Sequence, residues 1–522
     1  MAFRFSATLL LLPIIIGQAL AADLYFDLPV TNAIVAPDGF PRSAIQAGPF
    51  PGLNIVAMKG DTLHINVTNE LHDLTMRQST SIHWHGLFQA RTGSEDGPAF
   101  VNQCPIAPGQ YYQYNFGLAE QTGTYWYHSH LSVQYVDGAR GTLVIYPDDP
   151  LKHLWDVDDA GTIITLADWY HTPAAEAMEK FARDGHEPVP DSGLINGIGR
   201  YVGGPEVPWA VVNVEAGKRY RLRVVNIAAY AGFTFSIDGH SFDVIETDGI
   251  ETRPRTVSSF DIFAAQRYSV VLTANQPVDN YWIRAPMVLK GGSDTLDPNN
   301  VKAILRYSGA PAVDPKTNQL VLQKGGGLRE YELQTLIKPG APGGDAPADR
   351  VIDLDFDAAG PGLWEINGIP YVPPTLPTLL KIINGATLES DFTTPEHTFV
   401  LKPNQVVELR IHGSNHGMAH PFHLHGHAFD VIKSASGPVN YVDPPRRDVV
   451  AVEKGGVIIR FLTDNPGPWF LHCHIDWHLE AGLAVVFAEA PEEQRIGNQS
   501  GIITPEWRAL CPAYLALPKD KQ

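Results

Sequence analysis

The sequence predicts an all-β protein built from three consecutive, related sandwich or barrel domains. Short runs of alternating apolar and polar residues fill most of the chain, and 47 glycines and 42 prolines punctuate them. This pattern is typical of β-sandwiches and barrels, in which one face of each strand packs into the core. The length of 522 residues and the 44% hydrophobic content are enough for several such cores.

A strand motif that occurs three times supports the division into three domains. Residues 60–69 (GDTLHINVTN) and 217–226 (GKRYRLRVVN) share a Gly-to-Asn frame with apolar residues at alternate positions. A more degraded third copy contains Val407, Leu409 and Ile411. With the turn-rich junctions between them, these repeats predict domains at residues 22–150, 151–315 and 316–522.

Helix-period segments are scarce, and one helix is predicted over residues 174–183 (AAEAMEKFAR). Thr172 is expected to be its N-cap and Pro173 its first helical residue, because proline is well tolerated at that position.

Residues 1–21 have the features of a secretory signal peptide. Arg4 supplies the positive charge, residues 9–16 are apolar, and Ala19-Leu20-Ala21 fits a cleavage site. The apolar run is too short to span a bilayer, and no later run is long enough. The formal net charge of −19 disfavours nucleic acid and anionic membranes as partners. We therefore expect a secreted, extracellular and unanchored monomer that handles neutral or cationic small molecules.

The stretch from Trp469 to Leu483 (WFLHCHIDWHLEAGL) carries the strongest chemical signal. Side chains of a strand alternate between faces, so His472 and His474 point one way and Cys473 the other. Cys473 can then bind one metal ion while the flanking histidines bind others. A cysteine with two histidines and a weak or absent axial ligand is typical of a blue-copper site. The alternative is a disulfide cysteine near surface histidines.

Four His-x-His pairs occur in the chain, two in the first predicted domain and two in the third. They account for eight of the 20 histidines: His83/His85, His128/His130, His423/His425 and His472/His474. The corresponding strand of the middle domain, residues 281–286 (YWIRAP), has no ligand-type residue. Eight imidazoles facing one interface would suit several copper ions between the first and third domains. Structural histidines are the alternative.

Two further features concern covalent modification. With Cys473 on a metal, Cys104 and Cys511 are left, and an oxidising compartment would let them pair. Asn66 and Asn498 begin glycosylation sequons, and the polar surroundings of Asn498 make it the better candidate.

The motifs HWHG (83–86), HSH (128–130), HPFHLHGH (420–427) and HCHIDWHLEAGL (472–483) resemble those of the multicopper oxidases, and most closely those of fungal laccases. Residues 96–106 (DGPAFVNQCPI), 194–197 (LING) and 263–268 (FAAQRY) extend the resemblance over nearly the whole mature chain. It implies three cupredoxin-like Greek-key domains and four copper ions: one type 1, one type 2 and two type 3.

The resemblance also implies a ligand set. The type 1 copper takes His420, Cys473 and His478, and Leu483 occupies its non-coordinating axial position. The type 2 copper takes His83 and His423. The type 3 coppers take His85, His128 and His474 on one ion, and His130, His425 and His472 on the other. His412, His416 and His427 match no ligand position and are expected to be structural.

The activity implied is one-electron oxidation of phenols or aromatic amines at the type 1 copper, near His478. Electrons would pass from Cys473 through His472 or His474 to the trinuclear cluster, where dioxygen becomes water. The family places an acid near the type 2 copper, and Asp96 matches it as a proton donor; a surface or turn role is the alternative. Asp476 and Glu480 are expected either to orient imidazoles or to face solvent.

The chain departs from the laccase pattern at two places. Many fungal laccases have Cys-Asp where this chain has Ala229-Tyr230, so the phenol-orienting acid is missing from its usual position. Asp430 and residues 445–448 (PRRD) lean toward fungal iron oxidases, but Ser241 stands where an iron-binding acid is expected. The predicted function is therefore laccase. A ferroxidase or mixed oxidase is the first alternative, and a non-catalytic copper electron carrier the second. Lignin phenols, pigment precursors and other aromatics all stay open as natural donors.

Overall fold

A computed structural model describes residues 21–146, 150–317, 327–413 and 417–521. Within these ranges strands dominate, and six sheets follow one another in three pairs along the chain. The all-β prediction with three domains is confirmed. Residues 1–20 of the predicted signal peptide lie outside the described ranges, as do residues 147–149 at the first predicted domain junction.

The first pair of sheets consists of two four-stranded sheets, in the orders β2-β1-β4-β6 and β3-β8-β7-β5. The repeat strand β4 buries Leu63, Ile65 and Val67 and leaves the intervening residues half-buried, as its alternation predicts. The strands are β1 Asp23–Val35, β2 Arg42–Ala47, β3 Ile55–Met58, β4 Thr62–Asn69, β5 Ile82–His85, β6 Tyr111–Gly117, β7 Gly123–Ser129 and β8 Arg140–Tyr146.

The second pair contains sheets in the orders β11-β10-β9-β13-β18-β15-β16 and β12-β21-β19-β14-β17, with β20 beside β14. The repeat strand β13 is buried on both faces from Tyr220 onward, including Arg221 and Arg223. The strands are β9 Ile163–Trp169, β10 Ser192–Ile195, β11 Ile198–Gly199, β12 Val211–Val214, β13 Arg219–Asn226, β14 Gly232–Ile237, β15 Phe242–Thr247, β16 Ile250–Val257, β17 Ser259–Ile262, β18 Arg267–Thr273, β19 Asn280–Arg284, β20 Met287–Val288 and β21 Lys302–Tyr307.

The third pair has the orders β23-β22-β25-β30-β27-β28 and β24-β32-β31-β26-β29. Its central strand β31 carries the Cys473 stretch and is buried throughout. The strands are β22 Arg350–Gly360, β23 Leu363–Ile366, β24 Thr398–Leu401, β25 Val406–His412, β26 His420–Leu424, β27 Phe429–Lys433, β28 Arg446–Arg447, β29 Val449–Val452, β30 Val457–Leu462, β31 Gly467–Cys473 and β32 Ala484–Glu489.

The helices are short: α1 Ala174–Asp184, α2 Thr378–Ile383, α3 Asp476–Glu480, α4 Pro491–Arg495 and α5 Pro505–Leu515. α1 confirms the predicted helix and extends it by one residue, but the predicted cap is wrong. Pro173 holds the N-cap position, and the N–H of Ala174 donates to Asp137, 3.1 Å away. A carboxylate from another domain therefore accepts a hydrogen bond at the start of the helix, where Thr172 was expected to accept one. None of the described helices has the length and apolar character needed to cross a bilayer.

Two covalent predictions can be placed on the fold. Cys104 and Cys511 form a disulfide over a separation of 407 residues, which ties the first domain to α5. Asn498 is exposed in the turn between α4 and α5, whereas the amide of Asn66, in β4, donates to Asp27 at 3.1 Å. Asn498 is therefore the more accessible of the two predicted glycosylation sites.

Buried ion pairs join the second domain to the third. Arg267 donates to both carboxylate oxygens of Asp448 at 2.7 Å, and Arg447 donates to Asp248 at 2.9 Å. Asp430 pairs with Arg446 in its own sheet. The PRRD segment and Asp430 thus hold sheets and domains together. Their resemblance to fungal iron oxidases therefore does not indicate an iron-binding site.

Glu246 is the acid at the junction of the first and second domains. It accepts hydrogen bonds from Arg221, from Ser269 Oγ at 2.8 Å and from the Thr124 N–H at 2.8 Å. Burial raises the pKa of Glu246, but Arg221 and Arg223 outweigh this effect and bring it to about 2. Since the pKa is lower in the folded protein than in the unfolded chain, ionised Glu246 stabilises the fold above pH ~4.5, and this contribution is lost as pH falls toward 2.

We expect Glu246→Gln to lower the free energy of unfolding by about 3 kcal/mol at pH 7, because the buried arginines lose their partner. The difference in free energy of unfolding between wild type and variant should shrink as pH falls from ~4.5 toward 2. Denaturant unfolding at several pH values across this range measures that difference. The exposed Glu120→Gln is the matched control, and a gap independent of pH would contradict the assignment.

Candidate metal centre

The eight His-x-His histidines meet at one interface because strand pairing places them side by side. β5 and β7 pair with His83 opposite His128, and β26 and β31 pair with His423 opposite His472. Across the interface the rings of His83 and His425 stack with their centroids 4.0 Å apart. The predicted convergence of the first and third domains on a single histidine cluster is therefore present in the geometry.

Each histidine of this cluster turns one ring nitrogen inward. The Nε2 atoms of His425 and His472 lie 3.1 Å apart. The remaining inward nitrogens are buried and have no hydrogen-bond partner: Nε2 of His83, His128, His130, His423 and His474, and Nδ1 of His85. Buried polar atoms are ordinarily hydrogen-bonded, so converging unpartnered imidazole nitrogens fit a set of metal ligands.

The outward nitrogens are held by fixed acceptors. The Nδ1 atoms donate to carbonyl oxygens as follows: His83 to Asp96 at 2.7 Å, His128 to Ser129 at 2.9 Å, His423 to Asp448 at 2.9 Å and His472 to Cys473 at 3.0 Å. His85 is reversed, with its Nε2 3.3 Å from Asp448 Oδ1. Such contacts fix the tautomer and aim of each ring, as outer partners do in metal sites.

Seven of the eight histidines of the cluster are held in their neutral form by a lowered pKa. Burial lowers the pKa of His472 to about 3. Burial, reinforced by neighbouring imidazoles, also lowers the pKa well below the usual range for His85, His128, His130, His423, His425 and His474. A neutral imidazole has a free lone pair, so the cluster is prepared to bind metal ions without first losing protons.

Cys473 lies on the other face of β31, as the alternation predicts. Its Sγ is 3.6 Å from His478 Nδ1 and 3.8 Å from His420 Nδ1. Burial raises the pKa of the thiol well above its ordinary value, so a thiolate here requires a cation beside it. A soft thiolate with two imidazoles fits a copper ion.

The surroundings of this Cys-His-His group are apolar. Leu483 is fully buried, and its carbonyl accepts a hydrogen bond from the Cys473 N–H at 3.1 Å. Trp364 packs against the His478 ring with a centroid distance of 4.4 Å, and Phe356 packs against His420 at 4.8 Å. A leucine cannot coordinate, and a dry apolar shell favours the less charged state of a bound metal.

Asp96 lies beneath the histidine cluster and is fully buried. Its Oδ2 accepts from His425 Nδ1 at 2.9 Å, and its Oδ1 is 3.4 Å from His83 Nδ1. Burial raises the pKa of Asp96 despite the opposing effect of His83. The alternative of a surface or turn role fails, because the carboxyl group contacts two predicted ligands and no solvent.

Glu187 is a site residue that sequence reasoning missed. Its Oε1 accepts a 2.6 Å hydrogen bond from His478 Nε2, and its Oε2 accepts from the Tyr230 hydroxyl at 3.1 Å. Burial raises the pKa of Glu187, but the hydrogen bonds and the charge of His478 outweigh this and hold it below the usual value. Tyr230 is the residue that the resemblance to laccases sets where many of them have Asp, and here it contacts a carboxylate from a different segment. No sequence signal marks this contact, which joins residues 291 apart.

The remaining predicted residues fall outside the two groups. Asp476 is buried, but among the described residues no imidazole donates to it, so neither predicted role for it is correct. Glu480 is exposed, as its solvent alternative predicted. His427 pairs with Glu489 at 2.7 Å and His412 with Asp353 at 3.1 Å, which agrees with structural roles. His416 lies outside the described residues.

Comparisons with known proteins agree with this geometry. Three multicopper oxidase family models match residues 30–150, 160–310 and 371–493. The chain is 54% identical to Laccase-4 of Thanatephorus cucumeris, with 98% of each chain covered. The solved laccase of Botrytis aclada superposes with a TM-score of 0.85 at 32% identity, covering 96% of this chain and 93% of that one.

A further solved structure is Fet3p, described as a multicopper oxidase that functions in iron import. It superposes with a TM-score of 0.84 at 30% identity, covering 94% of this chain and 95% of its own. Full-length identity, the three matching domain models and the converging histidines all agree. The chain belongs to the multicopper oxidase family.

Proposed function

We propose that this protein is a laccase, which oxidises phenols and aromatic amines one electron at a time and reduces dioxygen to water. The observation that carries this proposal is the Glu187–His478 hydrogen bond at the Cys473 group. A phenol loses a proton together with its electron, and a carboxylate beside the electron-accepting imidazole can take that proton.

We infer that the two groups of ligands hold four copper ions in the arrangement implied by the sequence. His420, Cys473 and His478 would hold type 1 copper, and His130, His425 and His472 would hold one type 3 ion, since the ligand atoms of each set lie close together. His83 and His423 would hold type 2 copper, and His85, His128 and His474 the other type 3 ion, since each of these rings turns a buried, unpartnered nitrogen inward. When bound, the copper ions supply the one-electron redox chemistry that accepts substrate electrons and reduces dioxygen.

The chain itself supplies the connections and the protons. Cys473 lies between His472 and His474, so its backbone joins the two groups of ligands directly. Glu187 receives the phenol proton at its carboxylate, which is 20% exposed, whereas His478 is buried behind it. Asp96 holds a proton beside His83 and His425 for delivery to reduced oxygen. Aromatic and apolar residues keep water away from the Cys473 group.

Replacement of Glu187 by glutamine tests the proton-acceptor role. The amide oxygen can still accept from His478, but it cannot take a proton. We expect kcat/KM for 2,6-dimethoxyphenol to fall by about 100-fold, as is typical when a general base is lost. The kcat/KM for hydroxymethylferrocene, a neutral donor that gives up no proton on oxidation, should fall only slightly. Equal losses for both donors would contradict the role and indicate a damaged redox site.

A ferroxidase is the second candidate, because Glu187 would also suit an Fe(II) ion. Protein sites for Fe(II) ordinarily supply more than one ligand group, as in the set of two histidines and one carboxylate. Among the described residues the carboxylate at His478 is Glu187, and the positive charge of Lys290 acts on it. Dioxygen uptake with 2,6-dimethoxyphenol and with Fe(II) under matched conditions separates the two functions. A much higher kcat/KM for the phenol supports the laccase, and the reverse supports the ferroxidase.

A non-catalytic electron carrier would need the Cys473 group and not the eight-histidine cluster, and it would consume no dioxygen with any donor.

We further propose that the protein is secreted and monomeric. Of its domains at residues 22–150, 151–315 and 316–522, the first and third bind copper. The proposed partners are small molecules, and neither nucleic acid nor a membrane is among them. We propose glycosylation at Asn498 first and at Asn66 second. Size measurement and glycan mapping of the secreted protein test these points.

A further inference from the structure

Arg267 belongs to the second domain, which supplies none of the proposed copper ligands, yet its fully buried side chain reaches the edge of the histidine cluster. Its Nη1 and Nη2 atoms donate to the two carboxylate oxygens of Asp448 at 2.7 Å each, and its Nε donates to the Thr124 carbonyl at 3.0 Å. Thr124 lies in β7 of the first domain, and Asp448 lies in the third. One guanidinium group therefore binds both of the domains that carry the histidines.

Asp448 contacts the outward nitrogens of two proposed ligands. Its Oδ1 lies 3.3 Å from Nε2 of His85, and its backbone carbonyl accepts from Nδ1 of His423 at 2.9 Å. The two imidazoles come from opposite sides of the interface and stack with their centroids 3.8 Å apart. Because outer contacts set the orientation of metal-binding histidines, the position of Asp448 determines how this stacked pair is aimed.

The backbone around Asp448 is held by the second domain on both sides. Arg447 donates to Asp248 Oδ2 at 2.9 Å, and the Val449 N–H donates to the same oxygen at 3.2 Å. The Val449 carbonyl in turn accepts from Gln266 Nε2 at 3.1 Å. These contacts fix the chain before and after Asp448, so the orientation of its carboxylate depends on the guanidinium that binds it.

Gly86, the residue after His85, leaves the space that the Arg267–Asp448 pair occupies. Its backbone has a φ of +89°, a conformation that favours glycine. A Cβ atom at this position would lie 2.6 Å from Nη2 of Arg267 and 2.7 Å from Oδ2 of Asp448. The glycine of the HWHG motif is therefore needed for the ion pair to lie against the His85 segment.

We propose that Arg267 is a positioning residue: by holding the Asp448 carboxylate, it aims the two stacked imidazoles at the copper ions that they bind. The inference rests on the proposed copper centre. The planar guanidinium binds both carboxylate oxygens at once, so the carboxylate can neither rotate nor withdraw from Nε2 of His85. A lysine at this position would carry the same charge but would lack the two parallel donors.

The first experiment measures copper retention in Arg267→Lys. A chelator is titrated into the copper-loaded protein while copper content, the blue absorption and the electron paramagnetic resonance signal of type 2 copper are followed. Loss of an outer contact typically weakens metal binding by about 10- to 100-fold. The chelator concentration that removes half of the type 2 signal should therefore fall at least about ten-fold, while the blue absorption persists.

Arg284→Lys is the matched control for this experiment. Arg284 also donates to both oxygens of one carboxylate, that of Asp238, but within the second domain. This variant should retain copper as the wild type does. Equal retention of type 2 copper by wild type and Arg267→Lys overturns the proposal.

A double variant separates positioning from folding. Arg267→Met combined with Asp448→Leu removes both charges, so no buried charge is left unpaired, and such apolar replacements are often neutral for stability. The His85 ring loses its partner, whereas the backbone carbonyl that binds His423 stays. We expect a blue protein with nearly wild-type thermal unfolding whose cluster copper is released at a lower chelator concentration. A double variant that holds this copper as firmly as the wild type overturns the proposal.

The last measurement uses the copper-free protein. Asp448 should hold the Nε2 proton of His85, whose nuclear magnetic resonance signal is identified by its absence from His85→Gln. In Arg267→Lys this proton should exchange with water about ten-fold faster, which corresponds to the loss of one hydrogen bond. Equal exchange in both proteins overturns the positioning role. Faster exchange in the variant of a protein whose cluster takes up no copper would leave that role standing and reject the proposed copper centre.

Discussion

Replacement of Cys473 by serine is expected to reduce phenol-driven dioxygen uptake to background. The thiol is fully buried between His420 and His478, and it joins this group to the histidine cluster through its chain neighbours. A hydroxyl is nearly the same size but is a harder and far less acidic ligand. The fold should therefore persist while the redox connection is lost.

Three measurements on Cys473→Ser check this expectation. The blue absorption of the copper-loaded protein should disappear, copper content should fall by one ion per chain, and thermal unfolding should shift little. Ser129→Ala is a matched control, because Ser129 stands between His128 and His130 at the corresponding position of the first domain. That variant should keep the blue absorption. A serine variant that stayed blue and active would refute the assignment of Cys473.

Replacement of Asp96 by asparagine is expected to slow dioxygen reduction by about 100-fold or more, the usual cost of losing a general acid. The amide can still accept a hydrogen bond from His425, but it cannot supply a proton. Copper binding should be nearly unchanged, since the hydrogen bond of His83 goes to the backbone carbonyl of residue 96. Because the phenol site is intact, the blue colour should bleach with substrate and return slowly in air.

The pH dependence gives a second check on Asp96. Burial raises the pKa of this carboxyl, so its protonated form persists to higher pH than in an exposed aspartate. Rates limited by proton delivery should fall as pH rises through the raised pKa, and Asp96→Asn should lose this dependence. Asp96→Glu keeps an acid and should recover part of the rate. An asparagine variant with the wild-type rate and pH profile would rule out proton delivery by Asp96.

The sequence by itself determined the all-β class, the three-fold repeat and the histidine clusters. These inferences succeed because they depend on strand periodicity, which is local. At the end of β31, alternation alone separates Cys473 from His472 and from His474, the residue that follows the strand, and the structure places them on the two predicted sides. The register of β5 with β7 and of β26 with β31 then brings similar motifs together.

Only the tertiary structure revealed the groups that complete the sites. Glu187 reaches His478 across 291 positions, and Asp448 reaches His85 across 363. Asp137 likewise caps α1 from another domain, in place of the local Thr172. The partner of a single carboxylate cannot be read from sequence periodicity. Which side chain it contacts depends on how the domains pack against one another. Local spacing therefore determines which atoms can bind copper, while domain packing determines which acids and cations surround them.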